Sequence, residues 1–281
     1  MDKKDLLAML SDVNKIKKGG QKIVYKAIYN GETVALKLIN DSTDPRVIQE
    51  VAVVKELNIK NIPQIIDSGV VYDEVIGENV LYIIEQYIAG TSLRDWLNND
   101  NKFNLRQAFD VTYTLIDIEI QLENEKILHR DINPNNIILS DTGETYLIDF
   151  GLAKNLNGLS ITQTAAAHGP FTPGYAPHEQ IANVKYLQDV RTDLFQIGVT
   201  IYEACTGKNP FILYPHDNIP KIITRTLHYN PPLLVLNGDT KGSFAQFINM
   251  LMAKSPSQRP NSAVDAMRYL NVIKATLNWE G

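Results

Sequence analysis

HRDINPNNIIL, residues 129–139, is followed by a turn at Asp141, Thr142 and Gly143 and then by YLIDFG, residues 146–151. The stretch sets a carboxylate, Asp131, five residues before an amide, Asn136, and places a second carboxylate, Asp149, directly after an apolar strand. Asp131 can accept a proton or orient a hydroxyl. Asn136 and Asp149 offer hard oxygen donors of the kind magnesium prefers while it keeps phosphate and water in its other positions. Asn133, two residues after Asp131, is a further amide whose part in this arrangement has to be explained.

The chain before this stretch is strand-rich. Ile23 to Asn40, IVYKAIYNGETVALKLIN, gives two runs of β-branched and aromatic residues joined at Asn30-Gly31. That dipeptide signals a two-residue hairpin, because both turn positions need positive φ. Pro45 to Leu57 puts Val47, Val51, Val54 and Leu57 at helical spacing behind the cap candidate Asp44. Asn79 to Ile88 returns to strand character, and AGTSLRDWL, from Ala89, marks a break. Beyond it the texture is helical. Leu105 to Gln121 repeats apolar residues at intervals of three and four after the cap candidate Asn104, and similar patterns cover Phe244 to Lys254 and Ser262 to Leu277. Asp2 to Leu10 is a short helix candidate that would pack on the first region or on a second copy. The expected architecture is α+β. A small β-rich lobe with one main helix and an N-terminal extension would span 1–88, and a larger, mostly helical lobe 89–281.

Bulk properties narrow the function. A length of 281 residues suits one large domain or two packed lobes, and 44% hydrophobic with 21% charged residues is an ordinary globular composition. A net charge of −5 leaves no general basic surface for a polyanion, which argues against nucleic acid as a partner. Cys205 is the only cysteine, so no internal disulfide framework exists, and a reducing compartment is expected. The first residues carry Lys3 and Lys4, but their apolar stretch is broken by Asp5, unlike a secretory leader. No run approaches the ~18 apolar residues of a membrane span. A soluble cytoplasmic protein without a membrane partner is expected.

Further motifs accompany the opening stretch: VALK (Val34–Lys37), QEVAVVKEL (Gln49–Leu57), FTPGYAPHEQ (Phe171–Gln180), RTDLFQ (Arg191–Gln196) and SPSQRP (Ser255–Pro260). With these, residues from about Ile16 to Leu277 resemble the catalytic core of eukaryotic-type (Hanks-type) protein kinases, most of all the bacterial serine/threonine kinases. The resemblance implies a bilobal protein-kinase-like fold that binds ATP between its lobes, uses Mg²⁺ and acts on a protein substrate. Lys37 would hold the α- and β-phosphates with Glu50 as its helix partner, Asp131 would orient the protein hydroxyl, and Asn136 and Asp149 would bind the metal. Val24 and Ala35 would pack on the adenine, the backbone of Gln86 to Ile88 would meet its edge, and Glu85 would be the gatekeeper behind it. Thr172 implies serine/threonine rather than tyrosine specificity. Glu179 would pair with Arg259 as a buried anchor, and Asp193 would brace the catalytic loop. Self-association for autophosphorylation is a further implication.

Several positions depart from the family. In IKKGGQKIVYK, Lys17 and Lys22 replace the first and third glycines of the phosphate-covering loop, leaving Gly19 with Gly20 beside it. Backbone N–H groups can still cover phosphates there. Asn133 stands where serine/threonine kinases carry a lysine. As a neutral donor to the phosphate it is expected to lower the rate, about ten- to a thousandfold if no nearby lysine such as Lys22 supplies the charge, and Asn133→Lys is expected to keep or raise activity. His178 replaces the proline of the Ala-Pro-Glu triplet, read as a structural change, and the histidines show no metal-ligand spacing. Arg130 beside Asp131 implies control by a phosphate on the activation segment, with Ser160, Thr162 and Thr164 as acceptors. A second reading stays open, a pseudokinase acting as a nucleotide-binding interaction module. Retention of Lys37, Glu50, Asp131, Asn136 and Asp149 weighs against it.

Overall fold

The computed structural model describes residues 2–18, 22–40, 48, 51–52, 54–149 and 171–279, together with the backbone of 154–155. The chain divides into two compact units, Met1–Ala89 and Gly90–Gly281.

The first unit is built on an antiparallel sheet. Strands β1 (Ser11–Lys18), β2 (Lys22–Tyr29), β3 (Glu32–Ile39), β4 (Ile65–Asp73) and β5 (Glu78–Gln86) lie in the order β1-β2-β3-β5-β4. The β2–β3 hairpin turns at Asn30 and Gly31, with φ of 51° and 83°, the left-handed pair that the sequence there favours. Side chains alternate across the sheet, and the register sorts them by chemistry. Ala27 with Val34, Leu36 with Ile84, Leu38 with Tyr82 and Val71 with Val80 are paired across strands and share one core. Helix α1 (Lys3–Ala8) closes that core with Leu6, followed by Leu10. α1 starts in a capping box, in which Asp2 accepts from the Asp5 N–H while the Asp5 carboxylate accepts from the Asp2 N–H. Lys3 pairs with Asp73 on β4 at 2.6 Å. The N-terminal helix therefore belongs to the small unit.

Of the helix expected over Pro45 to Leu57, residues 48, 51–52 and 54–55 are helical, with Val54 buried, whereas Glu56 is a turn residue and Leu57 lies beyond the helix. Val47 and Glu50 lie outside the described residues. The strand expected to reach Ile88 ends at Gln86. β1 and β4 have no counterpart in the sequence reading. All eight residues of SDVNKIKK are exposed, so this polar edge strand carries no apolar alternation to reveal it.

The second unit is mostly helical. Its main helices are α2 (Leu93–Asn98), α3 (Leu105–Asn124), α4 (His178–Ile181), α5 (Val190–Thr206), α6 (Ile219–His228), α7 (Ser243–Leu251) and α8 (Ala263–Lys274). α3 begins at the Asn104 capping box and runs three residues past the expected end. α5 is buried along nearly its whole length and is stopped by Gly207 at φ 77°. A three-stranded sheet of β6 (Gly90–Ser92), β8 (Ile137–Ser140) and β9 (Thr145–Leu147), in the order β6-β8-β9, carries the segment quoted at the outset, and β7 (Ile127–Leu128) pairs with β10 (Lys154–Asn155).

Candidate active site

In the first unit, sheet register assembles the residues expected at the nucleotide. Val24 lies opposite Lys37 and Lys37 opposite Ile83, while Ala35 lies opposite Glu85. Directly opposed residues of antiparallel strands share a face, so Val24, Ala35, Lys37 and Glu85 occupy the face opposite the α1 core. Lys17 is opposite Val24 on β1 and continues the same row. It stands on a strand, exposed, rather than in a loop. Gly19 and Gly20 lie outside the described residues. Lys37 Nζ is 2.6 Å from Glu85 Oε1, and the two side chains are only 6% and 10% exposed. Gln86 donates its N–H to the Gln64 carbonyl at 2.9 Å as β5 ends, and Ile88 follows it outside any strand.

In the second unit, Asp131 sits at the centre of a donor cluster. Thr172 Oγ1 donates to Asp131 Oδ1 at 2.5 Å, Asn133 Nδ2 to Oδ1 at 3.0 Å and Asn136 Nδ2 to Oδ2 at 2.9 Å. Both amides also donate to the Asp131 carbonyl, each at 2.9 Å. Asn133 is bonded on both sides of its amide within the loop. Its Oδ1 accepts the Asn135 N–H at 3.0 Å and caps the 3₁₀ turn Pro134–Asn136, so its amide is spent on the loop itself. Burial holds the Asp131 carboxyl above the ordinary aspartate range. The charge of Asp149 adds to that shift, while the Thr172, Asn136 and Asn133 donors oppose it.

The β8–β9 hairpin explains how Asn136 and Asp149 come together. Ile137 pairs with Leu147, and the ladder continues as Ile148 donates its N–H to the Asn136 carbonyl at 2.8 Å. Asn136 and Asp149 thus leave the same end of one hairpin. With Asn136 Nδ2 donating to Asp131, its Oδ1 and the Asp149 carboxylate are the oxygen donors that this end of the hairpin offers. That oxygen pair matches the donor set of Mg²⁺.

The loop backbone is held from α5. Asp193 accepts the N–H groups of His129 at 2.9 Å and Arg130 at 2.6 Å. One turn further along, Gln196 accepts from the Ile132 N–H at 2.7 Å and donates to the Arg130 carbonyl, to which Gln180 also donates. Arg130 has φ 65° and Asp149 φ 79°, left-handed values that persist where surrounding bonds fix them. His129 is fully buried, with Nδ1 accepting the Asp131 N–H and Nε2 against the Ile148 carbonyl. Gln180 and Gln196 were missed by the sequence reading. Their signal was a polar side chain inside an apolar helix, Gln196 lying three residues from Asp193 on the same face.

Glu179 and Arg259 form a fully buried ion pair at 2.5 Å, and Arg259 also donates to the carbonyls of Arg191, Ala253 and Lys254. Thr172 is described, whereas Ser160, Thr162 and Thr164 lie outside the described residues.

Comparison with known proteins matches residues 10–270 to the protein kinase domain family. The chain belongs to the protein kinase family. Among relatives of this kinase domain, the probable serine/threonine-protein kinase pknA2 of Bifidobacterium longum is 29% identical over 280 residues, covering 95% of this chain and 35% of the relative. The probable serine/threonine-protein kinase PknB of the same organism is 31% identical, with 91% and 39% covered. The serine/threonine-protein kinase PknA of Mycobacterium tuberculosis is 28% identical, with 87% and 56% covered. The kinase domain thus spans roughly a third to a half of the length of these relatives. Among the described residues, no helix is long and apolar enough to cross a membrane.

Proposed function

We propose that this domain is an active serine/threonine protein kinase that uses ATP and Mg²⁺ to phosphorylate protein hydroxyls. The observation that carries the reading is the Asp131 carboxylate, held by Thr172, Asn133 and Asn136 within hydrogen-bond distance of all three. A carboxylate so placed can orient a hydroxyl and take its proton. Burial raises its pKa, which makes it a better base than an exposed aspartate. Thr172 beside it supports serine or threonine as the acceptor.

Little covalent work falls to the protein in phosphoryl transfer, so its residues act by alignment and charge. Lys37 offers an ammonium to the α- and β-phosphates, and Val24 and Ala35 offer apolar surface to the adenine. Asn136 Oδ1 and Asp149 would hold Mg²⁺, which when bound neutralises phosphate oxygens. Asp193, Gln180 and Gln196 fix the loop so that Asp131 does not have to be ordered during each turnover. Glu179 and Arg259 anchor the segment that carries Thr172.

The same reading includes a cytoplasmic location and self-phosphorylation of Ser160, Thr162 or Thr164, with Arg130 as the cationic partner of the resulting phosphate. Phosphosite mapping after incubation with ATP and Mg²⁺ tests it. Phosphate on those residues in the wild type and none in Asp131→Asn supports self-phosphorylation, and their absence from active wild-type protein excludes it.

A further inference from the structure

We propose that Glu85 is a positioning residue for Lys37, so that the sheet itself fixes the phosphate-binding ammonium before nucleotide arrives. The inference rests on the kinase reading of Lys37 and adds a specific carboxylate to it.

Three observations carry it. First, register makes the pair. Lys37 opposes Ile83 and Glu85 opposes Ala35, so the two charged residues are diagonal neighbours on adjacent strands and on one face. Diagonal neighbours lie about 7–8 Å apart at the backbone, within reach of long side chains. Second, both side chains are nearly dry, at 6% and 10% exposure, and meet at 2.6 Å. A buried ammonium needs an opposite charge, and leaving either partner alone is costly. Third, the scaffold is firm: β3 and β5 stay paired from Val34–Gln86 to Ile39–Leu81, and the far face of the same strands is core. A lysine has a long flexible stem that otherwise loses freedom when it grips phosphate. A carboxylate on the neighbouring strand removes part of that loss in advance, and preorganisation of this kind appears as affinity. Two strands whose register is locked hold the ammonium whatever the position of Glu50.

The idea fixes the sign and the ligand dependence of the effect. Adenosine has no phosphate and does not touch an ammonium at the phosphate site, whereas Mg-ADP does. Isothermal titration calorimetry with both ligands, on wild type, Lys37→Ala, Glu85→Leu, Glu85→Gln and the Lys37→Ala/Glu85→Leu pair, separates the cases. Glu85→Leu, which also alters the back of the adenine pocket, should weaken Mg-ADP at least about tenfold more than it weakens adenosine. Glu85→Gln, which keeps an acceptor, should fall between Glu85→Leu and wild type and serves if the leucine variant does not fold. In the Lys37→Ala background, Glu85→Leu should cost Mg-ADP less than it does in the wild type, because the two residues are coupled. Tighter Mg-ADP binding on loss of Glu85 would mean that the carboxylate sequesters the lysine, and would overturn the proposal. Equal losses for the two ligands, or additive losses in the double variant, would overturn it as well. If wild type binds Mg-ADP and Lys37→Ala weakens it, the nucleotide site stands even where Glu85 fails. Wild type that binds neither ligand rejects the nucleotide site and the proposal together.

Discussion

At the scale of single residues, the proposed function rests on Asp131 and on the neighbours that hold its carboxylate. As the proposed base, its carboxyl must be ionised to accept a proton, so activity should fall as pH drops through its pKa, which burial sets above the ordinary value of 3.8. The acid limb of kcat/KM should therefore lie above that value. The Thr172 and Asn133 donors favour the carboxylate form, so Thr172→Val and Asn133→Ala should each move the limb further up and lower kcat about tenfold or more at pH 7. A pH–rate series on the three proteins checks this. Asn133→Lys keeps a donor near Asp131 but gives up the cap on the Asn135 N–H. It should retain activity while losing about 1 kcal/mol in a denaturant melt. The spacing of Asp131, Asn136 and Asp149 was legible in the sequence because metal and hydroxyl chemistry require those residue types there. The orientation of Asn133 was not, since it is set by the 3₁₀ turn at Pro134–Asn136, a few hydrogen bonds that no periodicity announces.

At the scale of elements, α3 and α5 bring buried acids together. Glu119 on α3 is fully buried, and neither of its carboxylate oxygens has a hydrogen-bond partner among the described residues. Burial, then the charges of Asp193 and Glu123, push its carboxyl well above the usual range. Burial likewise raises Asp193, to about 7, against the two backbone N–H groups that hold it. Both groups then keep protons in the folded state that the unfolded chain releases near pH 4. Their contribution to stability is therefore fully present at acid pH and declines as pH rises toward about 7. Glu119→Met removes an unsatisfied buried acid and should raise stability at pH 8 by about 1–3 kcal/mol, with a smaller gain at pH 5. Denaturant titrations at the two pH values measure the difference. Helices were readable where a cap candidate preceded an apolar period, as at Asn104 for α3 and Ser262 for α8. β1 was not, because an exposed edge strand needs neither alternation nor apolar residues.

At the scale of the whole molecule, distant segments are tied by a few buried charges. Glu179 and Arg259 are separated by 80 positions and meet with both side chains fully buried. Arg259→Met strands the Glu179 carboxylate and should cost about 3–5 kcal/mol of stability, seen as a lower midpoint for the helical unit. The motifs that announced the family lie along almost the whole chain, which is why the fold class was legible without coordinates. The Lys37–Glu85 pair was not foreseen, because the family pattern directs attention to Glu50 and only sheet register shows Glu85 within reach. Transfer of labelled γ-phosphate from Mg-ATP to protein is the most direct measurement of the proposed function, comparing wild type, Asp131→Asn and Asp149→Ala. Label on serine or threonine with wild type, falling to background in both variants, is the expected result. Wild type that binds Mg-ATP yet labels no protein, itself included, or an Asp131→Asn variant as active as wild type, would contradict it.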